Sequence, residues 1–144
     1  NLCQCTIEQQ QKHRSRISAP LLDRIDIHIE VPRLDNAALD GSTAKGESSA
    51  SIRKRVNAAF LSQQNRSSRF NAELSIAEIE EFCPLQDAEK KVLEKAMDRL
   101  KLSARAYHRI LKLARTIADL AGSDEIQSPH LAEALQYRPK IMIG

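Results

Sequence analysis

Apolar residues change their spacing along this chain, and each change marks an element. Between Ile25 and Val31 they alternate with polar residues, Ile25, Ile27, Ile29 and Val31 against Asp26, His28 and Glu30; this alternation predicts a β-strand with one buried face. Pro32 ends its ladder. Ahead of it, TIEQQQKH places Thr6 and Gln9 at capping-box spacing and predicts a short, weakly amphipathic helix to about Ser15. From Ile52 onward the pattern turns helical, beginning with Ile52, Val56, Ala59 and Phe60. Ser75 and Glu78 repeat the capping box before Ile76, Ile79 and Phe82, and Pro84 stops that helix. The next helix runs from about Asp87 to Leu100, with Ala88, Val92, Leu93, Ala96, Met97 and Leu100 as its apolar stripe. Ser103 caps the longest helix, which Gly122 closes in the left-handed conformation that glycine tolerates best. Ser128 and Pro129 suit the cap and first turn of a last helix through about Tyr137.

These elements predict a mainly α protein: an antiparallel helical bundle preceded by a remnant with one β-strand. A lone strand cannot satisfy its own backbone groups, so the strand is expected to belong to a sheet built upstream of Asn1. Residues 1–34 form a first unit with little to pack against, expected to be poorly ordered. Residues 35–48, rich in Gly, Ser, Ala and Asp and without periodicity, read as a linker, and residues 49–144 as the helical domain.

With 144 residues, 42% of them apolar, the chain can build a core without metals or disulfides. Its formal charge of +3, from 22 basic and 19 acidic residues, excludes a dedicated, strongly basic nucleic-acid binder and confines any basic surface to a local patch. Three cysteines make no disulfide framework, and neither a signal peptide nor a long apolar run appears, so a reducing cytoplasmic setting without membrane contact is expected. Met97 and Met142 are the only methionines, which suggests a piece of a larger protein.

Candidate chemistry centres on arginine, whose planar guanidinium pairs with phosphate oxygens in a way a lysine cannot. On the helix after Ser103, Tyr107, Ile110, Leu111, Ala114, Ile117, Ala118 and Ala121 share one face, and Arg105, His108, Arg109, Lys112 and Arg115 share the opposite one. The basic face suits plain solvation. Arg105 alone also lies beside the free amides and positive dipole end of the first turn, a setting that favours a phosphate oxygen. Arg24 is either held in a surface ion pair by Asp23 or Asp26 or available for similar chemistry. From Ser49 to Phe70 the chain carries Arg53, Lys54, Arg55, Arg66 and Arg69 and no acid. That stretch is either a solvated helix or a track for a phosphate backbone. Aromatic residues make up only 3% and none lies among those charges, so base stacking is not expected.

Cys3 and Cys5 are too few to close a zinc site and read as free thiols, and Cys83 as a small core residue. His13, His28, His108 and His130 lack metal-binding spacing. Gly41 and Gly46 in GSTAKGES mimic a phosphate loop, but Glu47 stands where the lysine is required. No apolar run ends in paired acids. The chain alone is therefore expected neither to hydrolyse ATP nor to bind it tightly.

PLLDRIDIHIEVPR resembles the segment of magnesium-chelatase-like AAA+ ATPases in which the arginine of an L-L-D-R motif is the arginine finger, and LSARAYHRILKLARTIADL resembles their sensor-2 helix. GESSASIRKRV and HLAEALQYR are similar to the ComM-type branch, also called YifB, which includes bacterial proteins that promote branch migration of DNA. The resemblance implies that residues 1–34 end an AAA+ core and that residues 49–144 are its helical lid. It implies that Arg24 acts as the finger in the ATP site of an adjacent subunit and that Arg105 is the sensor-2 contact to the γ-phosphate. ATP and magnesium would be cofactors of the full-length protein, a homo-oligomeric ring, expected as a hexamer, acting on DNA as a helicase. Members of this branch carry a further cysteine pair upstream, so Cys3 and Cys5 would be half of a metal cluster, with zinc as the expected ion. Two other roles stay open: a chelatase-type remodeller of protein or inserted metal, and a stand-alone helical DNA-binding or interaction module.

Overall fold

The computed structural model describes residues 4–22, 24–32 and 46–138. These residues form helices α1 (Ile7–Arg14), α2 (Ala19–Leu22), α3 (Ser49–Ser67), α4 (Ile76–Phe82), α5 (Asp87–Leu100), α6 (Ala104–Leu120) and α7 (Ser128–Gln136), with a 3₁₀ turn at Asn71–Glu73 between α3 and α4. The mainly α class holds. Helix α6 is the hub, packing against α3, the 3₁₀ turn, α4 and α7, while α5 packs on α7. The linker expected at residues 35–48 lies mostly outside the described residues.

Local chemistry sets the helix ends. Thr6 accepts from the Gln9 amide at 3.3 Å while the Gln9 side chain accepts from the Thr6 amide at 3.0 Å, completing the capping box expected for α1. Ser75 and Glu78 do the same for α4, with the Ser75 amide donating to Glu78 Oε2 at 2.7 Å. Ser103 Oγ accepts from the Ala106 amide at 3.2 Å and starts α6. After α6, Gly122 turns the chain at φ 69°, a left-handed conformation available to glycine without steric cost. At α7 the cap sits one residue earlier than the sequence suggested: Gln127 is the N-cap, and the Ser128 hydroxyl donates instead to Glu89 Oε1 of α5 at 2.7 Å.

The core gathers where α6 meets its neighbours. Ala106, Ala114 and Ala118 of α6, Leu93 of α5, and Leu131 and Ala134 of α7 are wholly buried, with Ile110, Ile126, Leu74 and Ile79 beside them. Alanines along α6 let α3 and α7 approach closely, and the larger residues fill the gaps. On α5 only Leu93 of the expected stripe is fully buried; Val92 and Leu100 remain exposed. On α3 the buried residues are Ala59 and Gln63, so Ile52, Val56 and Phe60 lie on an exposed face.

Two sequence expectations change here. Among the described residues no strand forms: residues 24–28 are held against α6 and the end of α7 and residues 24–32 have no ladder partner, leaving Ile25, Ile27, Ile29 and Val31 exposed. Alternation fixes which faces differ but does not provide a neighbouring strand. Arg115, assigned to the solvated face of α6, is 1% exposed. Its Nε donates to Asp119 Oδ1 at 3.1 Å, and its two terminal nitrogens donate to the carbonyls of Asp124 at 2.8 Å and Ser123 at 2.5 Å.

Asp119, itself buried, also accepts from both terminal nitrogens of Arg66 at the end of α3, from Nη1 at 3.2 Å. Asn71 Nδ2 donates to the same carboxylate at 2.8 Å and to Thr116 Oγ1 at 3.1 Å, and the Asn71 amide donates to Gln63 Oε1 at 2.9 Å. One carboxylate thus ties α3, the 3₁₀ turn, α6 and the loop after it. Replacing Asp119 by Ala leaves two guanidiniums around an apolar gap, and is expected to cost about 3–5 kcal/mol, read as a lower midpoint in urea denaturation of this chain. Glu78 and Glu89 titrate below the ordinary carboxylate range, because the Ser75 amide donates to the first and the Ser128 hydroxyl to the second. A folded pKa below the unfolded one stabilises above the unfolded value and is lost as pH falls through the folded one. The Ser75–Glu78 cap and the Ser128–Glu89 contact between α7 and α5 are therefore expected to weaken below about pH 4.5, seen as low carboxyl midpoints by NMR, with Ser128→Ala raising that of Glu89 alone.

Candidate functional site

The two arginines singled out in the sequence both lie at the surface near the start of α6. Arg24 follows the last turn of α2, its amide donating to the Leu21 carbonyl at 3.0 Å. Its side chain folds back so that Nη1 donates to the Pro20 carbonyl at 2.7 Å. Asp26 does not pair with it, and Asp23 lies outside the described residues. Arg105 occupies the first turn of α6 and is exposed. Because the Ser103 hydroxyl takes up the Ala106 amide, the amides of Ala104 and Arg105 are left without an intrahelical acceptor.

What links these positions is Arg109, four residues beyond Arg105 and on the same helical face. Its Nη1 donates to the Arg24 carbonyl and to Asp26 Oδ1 at 2.6 Å, a contact spanning 83 residues of chain. Further along the extended segment, Arg138 Nη1 donates to the Ile25 carbonyl at 3.3 Å and the His28 amide donates to the Tyr137 carbonyl at 2.9 Å. A cleft of about 290 Å³ opens beside this contact, between Asp26 and Ile27 on one side and Arg109, Lys112 and Thr116 on the other. Nothing in the sequence pattern marked Arg109 beyond its membership of a basic face, and Asp26, read as a polar position of the alternating segment and a candidate partner of Arg24, pairs with Arg109 instead. Only the L-L-D-R motif pointed to this region.

The basic stretch Ser49–Phe70 is less uniform in space than in sequence. Arg53 and Lys54 are exposed on the first half of α3. Arg55 donates to Glu47 at 2.9 Å, Arg69 lies 3.8 Å from Glu78, and Arg66 belongs to the Asp119 network. Glu47, the residue that spoils the phosphate-loop spacing, accepts from the Ser51 hydroxyl at 2.8 Å, the main cause of its lowered pKa.

Cys5 is exposed and Cys3 lies outside the described residues. Among the described residues no three His, Cys, Asp or Glu side chains gather as a metal site. Cys83 sits at the floor of a cleft of about 390 Å³ between α4, α5 and α6, rimmed by Glu80, Glu94 and His108. His130 is buried and accepts the Gln127 amide at 3.0 Å, a structural role. Among the described residues no helix is long and apolar enough to cross a membrane.

The magnesium chelatase, subunit ChlI C-terminal family matches residues 46–138, and the magnesium chelatase, subunit ChlI family matches residues 1–39. The chain is 46% identical over 136 residues to competence protein ComM of Haemophilus influenzae, covering 94% of this chain and 27% of that protein. It is 43% identical over 134 residues to the uncharacterized YifB proteins of Salmonella typhimurium and Escherichia coli, covering 93% of this chain and 26% of each. The chain thus spans about a quarter of the length of these curated relatives.

Burial pushes the Cys83 thiol up to about 11, so little thiolate exists near neutrality. Alkylation at pH 8 followed by peptide mapping is expected to modify Cys5 rapidly and Cys83 only once the helices unfold; comparable rates at both would contradict the packing of α4 on α6.

Proposed function

The chain belongs to the magnesium chelatase, subunit ChlI C-terminal family, and from that premise we propose that it forms the helical lid of an AAA+ ATPase together with the finger-bearing end of the ATPase core. The observation that carries this reading is the attachment of the Arg24 main chain to α6 one turn beyond Arg105. That arrangement supports a single role for both guanidiniums, at one triphosphate held by polypeptide outside this chain.

Within this chain Arg24 and Arg105 are the residues suited to touch the nucleotide, and neither a phosphate loop nor a magnesium-holding acid pair accompanies them in the sequence. ATP with magnesium would supply the phosphoryl group and its charge; the chain supplies positive charge where negative charge grows on transfer. Arg24, released from the Pro20 carbonyl, would reach the phosphoryl group as an arginine finger. Arg105, beside the unpaired amides and positive dipole of the first turn of α6, would hold the γ-phosphate, making lid position depend on whether ATP or ADP is present. Because both residues sit on one side of the bundle, we assign them to the same nucleotide of an adjacent subunit in a homo-oligomeric ring, taken as a hexamer.

For the substrate we propose branched DNA and a motor that migrates or unwinds it, supported by the 46% identity to a protein named for competence. Arg53 and Lys54, exposed and unpaired among the described residues, are the basic side chains best placed for a phosphate backbone, and such contact would be strongly salt-dependent. The family description favours a second reading, a chelatase-type remodeller driving metal insertion, because a shared fold does not determine the substrate.

ATPase assays on the full-length gene product test the proposal. Arg24→Ala is expected to lower kcat by about 10³–10⁵, and Arg105→Ala to lower turnover and the response of oligomer assembly to ATP. Normal turnover in both variants would refute the assignment. Stimulation by branched but not linear duplex DNA supports the DNA motor, and its absence favours the remodeller.

A further inference from the structure

Arg109 has no part in the chemistry proposed above, yet it joins the Arg24 main chain to the helix that carries Arg105. Its Nη1 donates to the Arg24 carbonyl and to Asp26 Oδ1 at 2.6 Å. From these contacts we infer that Asp26 and Arg109 form a latch through which movement of α6 is passed to the main chain of Arg24. The inference rests on the reading of Arg24 and Arg105 as phosphate contacts and adds how they are coupled.

Three features make the contact suited to transmission. Arg109 lies one helical turn beyond Arg105, so anything that tilts or shifts the first turns of α6 moves both together. The guanidinium grips a main-chain carbonyl at Arg24 itself and a side chain two residues on, which fixes the direction in which the Arg24 backbone leaves α2. Downstream, Arg138 holds the Ile25 carbonyl and Tyr137 holds the His28 amide, so the segment is registered against the end of α7 as well. Residues 24–28 therefore behave as an appendage of the helical domain. A change in lid position then carries the finger with it, and lid and finger respond to nucleotide as one unit.

Partial exposure distinguishes this pair from the buried network around Asp119. The side chains of Arg109 and Asp26 are 28% and 51% exposed, a setting in which an ion pair adds little to global stability. Variants at either position should fold. Arg109 is thus a positioning residue, acting on the reaction through Arg24.

The test compares Asp26→Asn, Arg109→Gln, Arg109→Lys and the double variant D26N/R109Q with Arg24→Ala, in the full-length gene product. A misplaced finger loses rate without losing substrate, so D26N and R109Q are expected to lower kcat by about 10–100-fold with KM nearly unchanged. The double variant should be no worse than the weaker single one, and R109K, which keeps the charge but not the fork, should fall between R109Q and the parent. Hydrogen exchange gives a readout independent of turnover: the His28 amide should lose protection in D26N and R109Q while amides in the middle of α6 keep theirs. Unchanged kcat in both single variants, with Arg24→Ala inactive, overturns the latch alone. Full activity of Arg24→Ala overturns the reading on which it rests. Loss of protection throughout α6 would mean that Arg109 merely holds the helix, and would also overturn it.

Discussion

One buried carboxylate organises the helical domain. Asp119 receives Arg115 from its own helix, Arg66 from the end of α3 and Asn71 from the 3₁₀ turn. Bare charges inside a protein are costly, and this cluster persists because each member has partners: Arg115 also donates to the carbonyls of Ser123 and Asp124, and Asn71 to Thr116. Burial works against the Arg115 charge, and the Asp119 carboxylate is the main influence opposing it. Directional bonds of this kind define an arrangement more narrowly than apolar packing can. The end of α6 is held against α3 and against the loop that leads into α7, while its first turns pack into the core through Ala106 and Ile110 and show Arg105 at the surface.

That anchoring gives meaning to the other end of the helix. Arg105 and Arg109 project from α6 near the extended segment, and Arg109 collects the Arg24 carbonyl and Asp26. The same helix is therefore anchored by a buried charge cluster at one end and presents exposed charge at the other. Buried Arg115 stabilises the scaffold and Arg109 holds the segment after α2, whereas Arg105 lies exposed in the first turn. The chemistry assigned to Arg24 and Arg105 needs this division, because a guanidinium already satisfied by two carbonyls and a carboxylate has nothing left to offer a ligand.

The sequence announced its local features well and its long-range ones poorly. Helix starts at Thr6, Ser75 and Ser103 and the turn at Gly122 were readable because the residues that make them lie within a few positions of one another. The broad apolar face of α6 was readable too, whereas its place as the hub emerged only from the packing. Arg115 was misplaced because a helical stripe gives only angle, whereas its burial depends on Asp119 and on the loop that folds over it. Arg66 and Asp119 meet across 53 positions, and Arg109 and Asp26 across 83, distances at which spacing carries no signal. The alternation from Ile25 to Val31 was readable, but among the described residues it meets no neighbouring strand, and a strand exists only with a partner. Arg24 and Arg105 stood out through the motifs around them, because solvated arginines look alike in composition.

The central claim is that Arg24 and Arg105 of one subunit meet a single triphosphate bound by another. A cryo-electron microscopy structure of the full-length gene product, assembled with a non-hydrolysable ATP analogue, tests it most directly. Both guanidiniums of one subunit are expected within hydrogen-bonding distance of the same nucleotide's phosphates, with Arg109 still joined to Asp26. A nucleotide whose phosphates touch neither arginine, or two arginines directed at different sites, would contradict it.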